Sequence, residues 1–282
     1  MYPKISVITI NLNNASGLQK TIESVINQDF SDFEYIVIDG ASTDGSVEVI
    51  KQYEDKITYW VSEPDSGIYN AMNKGIARAT GEYCLFLNSG DWLESNQTVA
   101  SFIDYKPSDD IIIGNINNII DNKITLNRTA SKEEFGFEHF WVGGFLPHQA
   151  TFTKRQLFFE YGLYNEDLQI ASDFEFLVKA LLKGDATYNH IDIVVANYDM
   201  TGISSIEENA GIHFREREKI FNTYVPYVYK SFIKMYIKAK DSDRYYAGYE
   251  EYRLLKAGKF KILMAVILYI KNRKWKPQKF QS

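Results

Sequence analysis

With one cysteine, Cys84, the chain cannot build an internal disulfide framework, and sparse thiol usage suits a reducing compartment. Cys84 sits in an apolar run that reads as a buried strand, so it is expected to be a core residue and not a nucleophile. Histidine is scarce too: His139, His148, His190 and His213 fall at no metal-motif spacing. The N-terminus lacks the basic, apolar and small-residue blocks of a signal peptide, and export is not expected. The apolar run near the C-terminus, Ile262–Ile270, has nine residues, too few to cross a bilayer. Two nucleotide-binding signatures are missing. Asn11–Gly17, after the first predicted strand, holds no Gly-x-Gly-x-x-Gly, which argues against a dinucleotide-dependent dehydrogenase. The chain also has no Gly-x-x-x-x-Gly-Lys-Ser/Thr, which argues against a P-loop phosphotransferase. Internal repeats and low-complexity tracts are absent.

What is present suits a large α/β domain with an appendage. Hydrophobic residues make up 45% and aromatics 15% of 282 positions, ample for a substantial core. The net charge of −6 conceals an asymmetry. From Pro226 to Ser282 there are 14 Lys/Arg against 4 Asp/Glu, net +10, leaving 17 against 33, net −16, in the first 225 residues. A basic tail on an acidic body points to an anionic surface, and a membrane is the first candidate. Nucleic acid is not expected, because a net positive balance is confined to the tail.

Along the chain, Lys4–Asn11 reads as a first strand and Ser16–Asn27 as a helix with Leu18, Ile22, Val25 and Ile26 on one side. Phe33–Ile38 is a second strand. It runs into the polar cluster Asp39–Ser46, where Asp44 has the character of a helix cap. Ile57–Ser62 is a third strand, followed by a tight turn, Glu63–Gly67, and a helix over Ile68–Ala79 with Ile68, Met72 and Ile76 on one stripe. Gly81–Asp91 is a buried strand closing on Asn88-Ser89-Gly90-Asp91. Ligands in open α/β sheets bind beyond the carboxyl ends of the strands, and three carboxylate-bearing loops lie there. Further on, the pattern predicts a helix over Val99–Tyr105, a strand over Asp110–Asn115, and a hairpin over Asn117–Leu126. It then predicts a substrate-facing loop over Phe135–His148 and helices over Thr153–Tyr161 and Phe174–Leu182. A last strand over His190–Tyr198 leads to a loop at Asp199–Ser205, and a mostly helical stretch over Asn209–Lys240 breaks near Pro226. Lysines and arginines flank Ile262–Ile270, so this run could lie on anionic lipid headgroups.

Several of these segments, in this order, resemble the family 2 glycosyltransferases of GT-A fold. The resemblance covers Ser6 to about Ser205 and is carried by Ser6-Val7-Ile8-Thr9, Asp39–Ser46, Pro64–Gly75, Asn88–Asp91 and Ala171-Ser172-Asp173. Pro64–Gly75 is similar to the branch that makes bacterial surface polysaccharides. The resemblance implies a GT-A-like nucleotide-binding sandwich with a mixed central sheet and a C-terminal helical extension. The domain expected is 1–205, split into a nucleotide-binding half, 1–91, and an acceptor-binding half, 92–205; the basic extension is 206–282.

The resemblance also implies roles. Thr9, Asn11, Asp39, Asp65, Asn70, Lys74 and Ser89 would serve the donor nucleotide, with Asp39 on the base, usually uracil, and Asp65 near the ribose. Asp91 would bind Mn²⁺ or Mg²⁺ on the diphosphate, and Asp173 would deprotonate the acceptor hydroxyl. Trp141, His148 and Gln149 would lie near the acceptor or diphosphate. The sequence departs from the family's DxD motif: Asn88 or Ser89 stands at its first carboxylate. The activity implied is inverting transfer from a nucleotide-sugar, with UDP the expected nucleotide, to a lipid-linked oligosaccharide acceptor. Such an enzyme would work at the cytoplasmic face of the plasma membrane, held there peripherally. A homodimer through the C-terminal helices competes for the same apolar stripe. Asn88 keeps open an alternative, a non-catalytic sugar- or nucleotide-binding protein with the same fold. For Asp39 the plain alternative is a turn carboxylate, and for Asp173 a helix-start residue.

Overall fold

The structure, a computed structural model, describes residues 4–121, 123–136, 138–141, 146–200 and 209–225. Residues 142–145 of the expected substrate-facing loop, the loop after Met200, the break at Pro226 and the Ile262–Ile270 run lie outside the described residues. Contacts divide the chain into two units, Met1–Ile220 and Phe221–Ser282.

A mixed sheet dominates the first unit. Its parallel part is β3 (Tyr59–Ser62), β2 (Glu34–Asp39), β1 (Ile5–Asn11) and β4 (Tyr83–Phe86), in that spatial order. β1, β2 and β4 are buried along their whole length, the condition under which strands read as continuous apolar runs. β4 then pairs antiparallel with β8 (Thr151–Lys154), and β8 pairs antiparallel with β6 (Ile111–Ile120). β9 (Tyr188–Asp199) runs parallel to β6 and holds the two-residue β5 (Trp92–Leu93) on its other side. β7 (Lys123–Asn127) closes a hairpin on β6.

Helices α1 (Ala15–Ile26), α2 (Ser46–Gln52) and α3 (Ile68–Arg78) follow β1, β2 and β3. In α1 the residues Leu18, Ile22 and Val25 are fully buried, the stripe expected from their spacing. In α3, Met72 and Ile76 do the same. The later helices are shorter: α4 (Thr98–Asp104), α5 (Glu138–Trp141), α6 (Gln156–Glu160) and α7 (Ser172–Leu177), with α8 (Ala210–Tyr224) last.

Three local expectations need correction. Thr153–Tyr161 is not one helix: Thr151–Lys154 forms strand β8, and only Gln156–Glu160 is helical. The reason is tertiary, because the open edge of β4 pairs with Phe152–Lys154 and that of β6 with Thr151–Thr153. The Phe174–Leu182 helix changes pitch, continuing as a π-helix over Val178–Lys183 with Gly184 N–H donating to the Lys179 carbonyl at 2.8 Å. The Phe135–His148 stretch is not wholly irregular, since α5 lies within it.

At the amino-terminal edge, one buried carboxylate ties three strands together. Glu34, 6% exposed, accepts from the Ser6 hydroxyl, the Thr80 backbone N–H, the Thr80 hydroxyl at 3.0 Å and the Gly81 N–H at 2.8 Å. Gly81 is required there, since a Cβ would come 2.6 Å from the Ser6 backbone nitrogen. Buried donors stripped of their acceptor lose water without recompense. Glu34→Ala is therefore expected to destabilise the protein by about 3 kcal/mol in urea unfolding, whereas Glu82→Ala, at an exposed carboxylate, changes little.

Candidate functional site

Parallel pairing brings the carboxyl ends of β1, β2, β3 and β4 to one edge, and a cleft of about 1050 Å³ opens there. Its floor is Asn88–Asp91 and its walls come from Asp65–Met72, Leu146–Gln149, the start of α7, the end of β9 and α8. Gly90, at φ 107°, supplies the left-handed turn that returns the chain to Asp91. Gly40 allows a close approach at the rim: a Cβ there would lie 2.6 Å from Asp65 Oδ2.

Asp91 is 6% exposed. Its Oδ1 accepts from the Asp199 backbone N–H at 3.0 Å and its Oδ2 from Gln149 Nε2 at 3.1 Å. Burial raises its carboxyl from 3.8 to about 6, against the pull of His148 and the two hydrogen bonds. Asp173 lies in the same cleft. Its Oδ2 is 3.4 Å from His148 Nδ1 and its Oδ1 accepts from the Phe174 N–H at 2.8 Å. Tyr69 Oη also reaches Oδ1, at 3.4 Å. Burial acts to raise the Asp173 carboxyl, but the hydrogen bond and charge of His148, the Phe174 N–H and His213 together hold it below the ordinary carboxylate value. His148 Nε2 lies 3.2 Å from Asn88 Nδ2. An Nδ1–H on the same ring would face Asp173.

The other residues singled out from the sequence divide into two groups. Asn11, Asp65, Asn70 and Ser89 line the cleft. Asp65 Oδ1 accepts from the Gly67 N–H at 2.9 Å, and Asn70 Nδ2 donates to Glu166 at 2.9 Å. Thr9, Asp39 and Lys74 are not among the lining residues. Thr9 is buried against the Tyr35 hydroxyl at 3.0 Å. Lys74 pairs with Glu63 at 2.8 Å and donates to the Pro64 carbonyl at 2.9 Å. Asp39 is fully buried and accepts from Asn11 Nδ2, the Ser42 N–H, and the Ser42 and Ser62 hydroxyls at 2.6–2.9 Å. Burial opposes its charge, yet these donors hold its carboxyl below the usual range. In this arrangement Asp39 shapes the loops around it. Trp141 ends α5, and its side chain lies outside the described residues.

Sequence reasoning missed four cleft residues: Tyr69, Asp199, His213 and Arg217. Asp199 had a signal, being the first residue of the loop after a predicted strand. His213 and Arg217 are spaced i, i+4 on one helix, which puts them on one face, but nothing in the sequence says what that face meets. Both lie beyond residue 205, so the cleft draws on the start of the segment assigned to the extension. Burial lowers both, with Arg217 adding to the effect on His213, while Asp173 pulls both upward.

Among the described residues no group of three or more His, Cys, Asp or Glu is arranged to hold a metal ion. Three buried side-chain polar atoms there lack a hydrogen-bond partner, and two of them, Asn11 Oδ1 and Asn88 Oδ1, belong to cleft residues. None of the described helices is long and apolar enough to cross a membrane.

Comparison with known proteins is consistent in direction. The profile of the family described as "Glycosyl transferase family 2" matches residues 6–162. An uncharacterized glycosyltransferase of Mycobacterium tuberculosis is 35% identical over 74% of this chain and 80% of its own. A PGL/p-HBAD biosynthesis glycosyltransferase of Mycobacterium bovis is 30% identical over 71% and 78%. Among solved structures, S. aureus TarS 1-349 in complex with UDP-GlcNAc superposes with TM-score 0.56 at 20% identity, over 70% of this chain and 58% of that one. The mannosyltransferase PcManGT of Pyrobaculum calidifontis, in complex with GDP-Man and Mn²⁺, gives TM-score 0.57 at 17% identity, over 98% and 83%. At such identities the likeness is one of fold, and the fold is that of GT-A glycosyltransferases.

The buried Asp91 gives a direct test. A carboxyl raised from 3.8 to about 6 favours folding when protonated. That contribution is complete below pH 4 and is lost as pH rises through 6, with at most about 3 kcal/mol at stake. Without divalent cation, Asp91→Asn is expected to raise the melting temperature at pH 8, with the gain vanishing as the pH falls to 4. A gain independent of pH would contradict the burial argument.

Proposed function

We infer, since this chain belongs to glycosyl transferase family 2, that its cleft moves a sugar from a nucleoside diphosphate donor to an acceptor hydroxyl, with inversion at the anomeric carbon. One observation carries the reading: two carboxylates of opposite character, Asp91 and Asp173, line one cleft at the carboxyl edge of the parallel strands. Asp173 is held below the ordinary carboxylate value, so it is ionised at neutral pH and able to accept a proton. Asp91 is buried and its charge disfavoured, a state that a bound cation would relieve.

The residues fit a divalent cation. Hard cations of the Mg²⁺ type take oxygen donors, and one or two carboxylates suffice when substrate phosphates complete the shell. Asp91 supplies a carboxylate, and Asn88 Oδ1 is a buried oxygen without a hydrogen-bond partner. Mn²⁺ or Mg²⁺ bound there would neutralise charge on the departing diphosphate.

This chain's own residues then do the following. Asn11, Asp65, Asn70 and Ser89 line the part of the cleft assigned to the nucleotide. His148, presenting Nδ1–H to Asp173, fixes the carboxylate's orientation, and Tyr69 supports its other oxygen. The acceptor hydroxyl gives its proton to Asp173 as its oxygen bonds to the anomeric carbon. The bond from that carbon to the diphosphate breaks on the opposite face, and the nucleoside diphosphate leaves. No covalent sugar–enzyme intermediate is needed, in contrast to retaining enzymes.

The acceptor class rests on two supports. The Mycobacterium bovis relative is named for PGL/p-HBAD biosynthesis. A Bacillus subtilis protein, 38% identical over 32% of this chain and 36% of its own, is named a putative teichuronic acid biosynthesis glycosyltransferase. We therefore read the product as part of a cell-surface glycan and the acceptor as lipid-linked. The basic C-terminal segment, net +10, would hold the enzyme to anionic lipid at the cytoplasmic face.

The test uses the full chain with UDP-glucose, UDP-GlcNAc and GDP-mannose, each with and without Mn²⁺, following nucleotide release and calorimetric binding of UDP and GDP. One nucleotide is expected to bind in a Mn²⁺-dependent manner that Asp91→Ala abolishes. Asp173→Asn should lower turnover by about 10²–10⁴-fold while donor affinity stays within twofold. Absence of binding by either nucleotide would defeat the reading. The same assay tests His148. Turnover needs ionised Asp173, so it is lost as pH falls through that carboxyl's pKa. Because His148 depresses that pKa, His148→Ala should move the acid limb to higher pH.

A further inference from the structure

We propose that Glu216 is a positioning residue for the base, anchoring the backbone from which Asp173 projects and making α8 a working wall of the active site. The proposal rests on the reading of Asp173 as base, and it concerns a residue beyond the matched family segment, 6–162.

The Glu216 carboxylate accepts three consecutive backbone N–H groups: Gln169 on Oε1 at 2.7 Å, and Ile170 and Ala171 on Oε2, each at 3.0 Å. These are the residues immediately ahead of α7, whose second residue is Asp173. The helix begins behind Ala171, which has no side chain able to cap it. A carboxylate offers about four acceptor positions, and charge-assisted bonds of this kind are roughly twice as strong as neutral ones. One side chain from a distant helix thus does for this segment what local chemistry does not.

The neighbours of Glu216 act on the same target. His213 and Arg217 share its side of α8 and line the cleft. The Arg217 guanidinium sits 4.1 Å over the ring of Phe174, the residue after Asp173, and its Nη2 donates to the Phe140 carbonyl at 3.1 Å. Asp173 is therefore set by a backbone gripped from α8 and a carboxylate gripped by His148 and Tyr69. Without Glu216, the amides of 169–171 lose their acceptor and the start of α7 is free to shift. A displacement of about 1 Å in a reacting group costs about 10²-fold in rate.

The test compares wild type, Glu216→Gln and Glu216→Ala as full chains, using nucleotide release from the three donors above and amide hydrogen exchange. Gln keeps one oxygen, enough for two of the three amides, so turnover should fall in the order wild type, Gln, Ala. The Ala variant should lose about 10–100-fold in kcat with donor KM within twofold. The Phe174 amide is bonded to the Asp173 carboxylate itself and should exchange at least tenfold faster in both variants. If Glu216 serves only local structure, exchange will rise at 169–171 alone. Turnover within twofold of wild type in the Ala variant, or a Phe174 amide exchanging at the wild-type rate, overturns the proposal. Should Glu216→Ala fail to fold, Glu216→Gln carries both readouts. If wild type releases nucleotide from no donor, the transferase reading falls, while Phe174 exchange still decides the anchor.

Discussion

A single buried carboxylate, that of Asp91, is where the separate parts of this fold meet. Its two oxygens take hydrogen bonds from the end of β9 and from Gln149, just ahead of β8. Its own carbonyl accepts from Thr21 on α1 at 2.6 Å, and Thr21 Oγ1 in turn accepts from the Gly90 N–H at 3.0 Å. A charge in such a place is costly unless something of opposite sign arrives. The strand ends are thus held in register around a group whose electrostatics are incomplete, and under the proposed function this is the opening that a cation and a diphosphate would fill.

The opposite wall follows a different logic. Burial works against the charge of Asp173, but His148, the Phe174 backbone N–H and, from α8, the field of His213 hold its carboxyl below the ordinary value. The Tyr69 hydroxyl on α3 reaches one of the carboxylate oxygens at 3.4 Å. Two aspartates in one cleft are thereby driven in opposite directions, one toward protonation and one away from it. Pairs of titratable groups whose surroundings separate them in this way are how one fold divides acid, base and charge-binding tasks. The separation comes from burial and neighbours, since the two side chains are chemically identical.

Several polar residues that the family pattern would enlist for the donor are engaged in shaping the cleft. Asp39 accepts from four groups and organises the loops after β1 and β2, and Lys74 ties α3 to the turn before it. Glu166, on the loop before α7, bridges Asn70 and Asn73 of α3 at 2.9 and 2.8 Å. The α3 wall and the Asp173 wall are therefore joined at the rim. A ligand entering the cleft meets side chains already fixed by one another, so little ordering is required on binding.

Much of this was legible in the residues themselves. Continuous apolar runs ending in Asp39 and Asn88–Asp91 mark buried parallel strands, because such strands are covered on both faces and polar residues appear only where they emerge. The i, i+4 stripes of α1 and α3 were equally plain, since 3.6 residues per turn impose them. Asp91 was readable as a candidate from its place after a strand, whereas Asp173 came from the resemblance of Ala171-Ser172-Asp173, its place at a helix start pointing only to a cap. Tertiary structure alone decided the rest. Thr151–Lys154 is a strand because two sheet edges compete for it, and no periodicity can show that in four residues. Asp39 differs from Asp91 in where its hydrogen bonds come from, which depends on loops far apart in sequence. Glu216, His213 and Arg217 look like the solvated charges of any surface helix until α8 is laid against the segment before Asp173. Local pattern fixes which residues emerge at a strand end or share a helix face; what they then meet is set by packing between elements whose separation in the chain leaves no local trace.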